Sequence, residues 1–160
     1  MRSPEDHRQK PLYTPAERIR RDRSVWTRVQ AVLAPLQFAA FLVSALLILR
    51  YLLTGDGYLA ATVSILVKTG FLCLIMVTGS IWEKAVFGRW LFAPAFWWED
   101  MVSMAVIGLH LAYLWAMLTG AVPPLGQMLL ALTAYAAYAL NAGQFLLKLR
   151  AARLDAEARA

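Results

Sequence analysis

Cysteine, histidine and charge are all scarce in this chain. A single cysteine, Cys73, stands among 160 residues, which excludes disulfide frameworks, thiolate zinc sites and cysteine-held iron–sulfur clusters. Two histidines, His7 and His110, are too few for a bis-histidine haem within a membrane, because His7 belongs to a charged tail. Charged residues are 16% of the chain and hydrophobic ones 60%, with a mean hydropathy of +0.54. Soluble domains sit nearer about 25% and 45–50%, so the composition points away from a water-soluble globule. The length leaves room for one domain. A net charge of +6 would suggest nucleic acid in a soluble protein, but the charge is distributed as in a membrane protein and no nucleic-acid partner is expected.

Four stretches are long and apolar enough to cross a bilayer, which takes about 20 residues. They are Val29–Leu53, Tyr58–Trp82, Ala95–Thr119 and Leu125–Leu147. Turn chemistry separates them at Thr54–Gly57, Glu83–Pro94 and Gly120–Pro124. Short connections imply neighbouring antiparallel helices, so the expected fold is all-α, a polytopic up-down-up-down bundle of four transmembrane helices. Lysine and arginine fall in alternate segments: Arg2, Arg8, Lys10, Arg18, Arg20, Arg21, Arg23 and Arg28 before the first span, Lys84 and Arg89 between the second and third, and Lys148, Arg150, Arg153 and Arg159 after the fourth. The other two turns carry none, which predicts cytoplasmic N and C termini. The expected organisation is a basic tail over 1–28, a transmembrane domain over 29–149 and a second tail over 150–160. The first apolar run is too long, and follows too long a polar tail, for a signal peptide.

Within the first tail, Thr14-Pro15-Ala16-Glu17 has the form of a capping box. The arginine-rich helix it would start suits either anionic lipid headgroups or plain topology determination. Residues 1–10 are polar and expected to be dispensable for activity.

Ionisable residues within a span usually face the bundle interior and serve a function. Counting about 1.5 Å of rise per residue, Lys68 and His110 fall at similar depth near the bilayer middle. A second polar layer lies toward the cytoplasm, made of Gln37, Glu83, Glu99, Asp100, Asn141 and Gln144. Glu99, Ser103, Val106 and His110 follow i, i+4, i+7, i+11 spacing, which is one stripe of a helix; Asp100 points about 100° away. Each has a bland reading beside the functional one. Glu99 and Asp100 suit the positive end of a helix, and Glu83 beside Lys84 suits an interfacial charge pair. Asn141 and Gln144 suit hydrogen bonds between helices, and His110 and Lys68 suit a structural polar pair. Trp26, Trp82, Trp90, Trp97 and Trp98 crowd the cytoplasmic side, against Trp115 alone toward the other. That excess fits a flat hydrophobic ligand or mere anchoring of the longer loop.

The run Gly79–Met104, GSIWEKAVFGRWLFAPAFWWEDMVSM, resembles the 2-vinyl bacteriochlorophyllide hydratase family of bacteriochlorophyll synthesis. So do SVWTRVQAVLAPLQF (Ser24–Phe38) and NAGQFLLKLRAARLD (Asn141–Asp155), and the likeness extends over about residues 12 to 155. The resemblance implies a hydro-lyase that adds water to the C3-vinyl group of chlorophyllide a, or of 3-vinyl bacteriochlorophyllide a, giving a 1-hydroxyethyl group. It implies no redox cofactor, and the magnesium belongs to the substrate. It also implies a bacterial inner (intracytoplasmic) membrane, lipid contact and other enzymes of the same synthesis as partners.

Such a hydration needs a general acid for the terminal vinyl carbon, and a carboxyl kept protonated by its surroundings supplies one. Glu99, Asp100 and Glu83 are the candidates, Glu99 first because its stripe leads to His110. A partner carboxylate then stabilises the cation and takes a proton from the attacking water. Lys84, Arg89 or Lys68 would meet the substrate's propionate, and His110 its magnesium as an axial ligand. Trp97, Trp98, Asn141 and Gln144 complete the expected substrate contacts, with no metal site of the protein's own. A non-enzymatic pigment-binding or assembly protein would use the same histidine and aromatics without acidic groups, and a small transporter or quinone-site subunit would not bind chlorins.

Overall fold

A computed structural model describes residues 11–157, and all regular structure among them is helical. The elements are α1 (Pro15–Arg23), α2 (Val25–Thr54), α3 (Tyr58–Phe87), α4 (Trp97–Thr119) and α5 (Pro124–Glu157). His7 and the rest of the first ten residues lie outside the described part. The capping box forms as expected: Glu17 N–H donates to Thr14 Oγ1, and the Glu17 carboxylate accepts from Thr14 N–H at 2.7 Å. Four of the helices are long and apolar enough to cross a membrane.

Several helix ends move from their expected places. Ser24 alone separates α1 from α2: its N–H closes the first helix on Arg20 and Arg21, while its Oγ accepts from Trp26 N–H. The second helix therefore starts at Val25 rather than Val29. At the other end of the hairpin, α3 runs past Trp82 to Phe87, where Gly88 takes the left-handed conformation (φ 78°) and donates back to Lys84 O. Glu83 and Lys84 thus sit on a helix rather than in a loop. The last helix continues through the expected tail to Glu157.

Close backbone approach is concentrated within two hairpins, α2 with α3 and α4 with α5, while α3 and α4 approach each other sparsely. Gln30 donates to Thr78 near one end of the first hairpin and Ser44 meets Ser64 further along, so these helices run in opposite directions. In the second hairpin Lys148 meets Glu99 and Asn141 meets Ser103, again in opposite directions. Burial is inverted relative to a soluble bundle. Leu46, Leu53, Leu118 and Leu140 stand fully outward, whereas Gln37, Ser44, Lys68, Glu83, Glu99, Asp100, Ser103 and His110 are inside. Apolar surface all round with polar groups within is the pattern of helices solvated by lipid. Ile48, Ile65, Tyr113, Met128 and Tyr135 form the packed core at the end bearing the short turns, and Tyr13, Val86 and Phe96 seal the opposite, basic end.

Candidate active site

The carboxylates meet at the basic end. Glu83, from the last turn of α3, and Asp100, from the first turn of α4, face each other closely enough for one carboxyl to donate to the other. The intervening loop holds both: Phe92 N–H donates to Asp100 Oδ2 at 2.8 Å, and Ala93 N–H donates to Glu83 Oε2 at 3.1 Å. Phe92 adopts φ 58°, the one positive φ of a non-glycine residue among the described residues. That strained conformation turns two successive amides toward one side, the nest geometry that receives anionic oxygens. Glu99 has a different partner, accepting from Lys148 Nζ at 2.6 Å. Glu83, Glu99 and Asp100 are all buried.

The stripe on α4 is a buried line throughout, and Tyr113 extends it. Ser103 Oγ accepts from Asn141 Nδ2 at 2.7 Å, which joins α4 to α5 one turn inward from the carboxylates. Deeper still lie His110 and Lys68, 1% and 0% exposed, near one another on α4 and α3. The Lys68 ammonium rests over the Tyr138 ring at 3.6 Å from its centroid, and the His110 ring stacks on Tyr135 at 5.9 Å. Tyr135 is in turn fixed by a 2.6 Å hydrogen bond with Ser44 of α2. Four polar atoms along this line have no hydrogen-bond partner among the described residues: Gln37 Nε2, Lys68 Nζ, His110 Nε2 and Asn141 Oδ1. Buried polar groups are ordinarily satisfied, so a row of four marks space that a ligand's polar atoms can fill.

Other expected site residues lie further out. Lys84 is exposed and donates to Gly88 O at 3.0 Å, and Arg89 is exposed beyond it. Trp97 and Trp98 meet edge to face at 4.9 Å on the outer surface, 42% and 69% exposed, and Gln144 is also exposed. Gln144 differs from Asn141 because the inward face of α5 runs Asn141, Phe145, Lys148, in i+4 and i+7 steps.

Three contributors are new. Lys148, read from sequence as topology charge, occupies that inward face. The Phe92 and Ala93 amides carry no side-chain signal. The first helix docks on the same end: Arg20 Nε donates to Val86 O at 2.7 Å, and Tyr13 stacks on Phe87 at 5.8 Å beneath Arg21. Burial pushes the Tyr13 phenol above its usual pKa, against the lowering effect of Arg21. Among the described residues no cluster of histidine, cysteine and carboxylate side chains is arranged to hold a metal ion. The arrangement offers paired carboxyls beside water-accessible headgroups, and a buried polar line leading into an apolar seam between hairpins.

Comparison with known proteins gives these features a context. The sequence profile of the 2-vinyl bacteriochlorophyllide hydratase family matches residues 13–151. A protein of Rhodobacter capsulatus bearing that name is 63% identical over 154 residues, covering 96% of this chain and 90% of its own. One of Cereibacter sphaeroides, of the same name, is 64% identical over 148 residues, covering 92% and 91%. No solved structure matches.

Proposed function

The chain belongs to the 2-vinyl bacteriochlorophyllide hydratase family, and from that premise we propose that its hydration runs on the Glu83–Asp100 pair. The protein is a hydro-lyase of bacteriochlorophyll synthesis that adds water to a vinyl group. The substrate in this reading is chlorophyllide a or 3-vinyl bacteriochlorophyllide a, and the product carries a 3-(1-hydroxyethyl) group. Adding water leaves the electron count unchanged, so the reaction calls for acid and base rather than a redox cofactor.

The observation that carries the assignment is the contact between the two carboxyls, each held by one of two successive amides. Their helix positions divide the roles. Glu83 lies in the last turn of α3, where the dipole disfavours an anion, and Asp100 in the first turn of α4, where it favours one. The shared proton then belongs to Glu83. Glu99, ion-paired with Lys148, is held as a carboxylate, which moves the acid role from Glu99 to Glu83. Glu83 protonates the terminal vinyl carbon, forming a C–H bond as the π bond breaks. The positive charge left on the inner carbon is delocalised by the macrocycle and faced by the Asp100 carboxylate. Water adds there and gives its proton to Asp100. Transfer from Asp100 back to Glu83 across their contact restores the starting state.

The bundle is read as up-down-up-down across the intracytoplasmic membrane, both termini cytoplasmic, so the carboxyls meet water at the cytoplasmic boundary while the ring stays in lipid or between helices. Glu83→Gln keeps shape and removes the proton. Turnover, followed as gain of one water by mass spectrometry, should fall roughly 10²–10⁴-fold with pigment binding kept. Glu99→Gln should retain far more activity. Near-wild-type turnover in Glu83→Gln would end the acid assignment, and pigment binding without any water gain by the unmodified protein would favour a carrier instead.

A further inference from the structure

His110 is the buried group on the polar line whose chemistry is most closely defined. Its Nδ1 lies 2.8 Å from Val106 O. A carbonyl oxygen only accepts, so Nδ1 carries the hydrogen and Nε2 presents its lone pair. That lone pair is inside the protein, the residue being 1% exposed, and has no partner among the described residues. A backbone bond on one ring nitrogen and a free lone pair on the other is the arrangement that orients an imidazole for a metal. Stacking on Tyr135, itself tied to Ser44, fixes the ring's plane.

The surroundings limit what the ligand can be. No second histidine, cysteine or carboxylate stands with His110 to form a site for a free ion among the described residues. A metal here has to arrive with most of its coordination already filled. Beside it the Lys68 ammonium lacks an acceptor, so the same ligand should also bring an oxygen. The sparse seam between α3 and α4 can admit a flat ring without disturbing either hairpin. From Asp100 to His110 is about 15 Å of helix rise, a scale on which one macrocycle has its metal at the inner level and its vinyl edge at the outer.

We propose that His110 Nε2 is the axial ligand to the magnesium of the substrate chlorin, with Lys68 facing an oxygen of the same molecule. The inference rests on the hydratase reading and adds the seat that aims the vinyl group at Glu83.

The test compares purified protein in detergent with chlorophyllide a and with its magnesium-free counterpart, recording affinity and the visible absorption bands that report axial ligation. The unmodified protein should bind the magnesium form at least tenfold more tightly and show the band shift of a nitrogen-ligated magnesium. His110→Ala should lose both, and added imidazole should restore the shift. Lys68→Met should weaken binding while leaving the shift in place. Equal binding of the two pigments by the unmodified protein, or an unchanged shift in a folded His110→Ala protein, would overturn the proposal. Hydration that persists in either case leaves the hydratase reading intact, whereas metal-dependent binding with no hydration would sink that reading alone.

Discussion

Lys148 decides what Glu99 can do. Its ammonium is 2.6 Å from Glu99 Oε2 and sits over Phe96 at 5.1 Å, so the lysine stem packs while its head neutralises a buried carboxylate. Removing one partner of such a pair leaves the other charged and unpaired, which costs more than the pair contributes. Lys148→Met should lower stability by roughly 1.5–3 kcal/mol, the range for hydrogen bonds to charged groups, seen as a reduced thermal midpoint in detergent. Adding Glu99→Gln to Lys148→Met should recover most of that loss. Failure of the second substitution to recover any stability would show that the pair is not the reason for the first effect. At this scale the sequence located the right residue types but not their partners. Glu83, Glu99 and Asp100 were all visible as boundary carboxylates. Which one meets a lysine and which two meet each other depends on side-chain directions across three helices.

The first helix illustrates how an element can be legible and its role not. Thr14, Pro15 and Glu17 mark its start by local chemistry, and it begins there. Its docking site is a tertiary matter: Tyr13 enters the Val86–Phe96 cluster, and Arg20 supplies a donor to a carbonyl in the last turn of α3, two residues before the helix ends at Phe87. Last-turn carbonyls have no partner within their own helix, and basic side chains commonly satisfy them. The helix therefore braces the end of α3 that carries Glu83. Tyr13→Ala empties a buried aromatic site and should cost about 3 kcal/mol, the lower part of the range for large aromatic truncations. Limited proteolysis should then cut the segment between residues 11 and 28 earlier than in the unmodified protein. Unchanged cleavage would mean that α1 does not depend on this contact.

Across the whole molecule, the two hairpins are held together at both ends and share a polar seam. The packed end uses Ile48, Ile65, Tyr113 and Tyr135, and the basic end uses aromatics around Phe96. Exposed leucines on every long helix leave lipid as the natural surroundings. The proposed orientation follows the alternation of basic and neutral segments. A reporter fused after Ala160 should be active only as a cytoplasmic reporter. Activity confined to the periplasmic form would invert the orientation and place the carboxyls on the wrong side for the proposed reaction.

Helix number, the turns between spans, the capping box and the buried stripe on α4 were all determined by sequence alone. Each follows from local rules: about 20 apolar residues per span, a preference of Thr, Pro and Glu for a helix start, and 3.6 residues per turn. The hydratase family was legible too, from three runs of sequence. The tertiary structure alone decided that Asp100 rather than Glu99 meets Glu83, that Lys148 points inward while Gln144 points out, and that Phe92 turns two amides onto the carboxyls. The physical reason is that a membrane helix is apolar on its lipid face and largely apolar on its packed face. Its pattern then says little about how it is rotated about its own axis. That rotation, set by contacts among helices and by one strained loop, is what assembles the site.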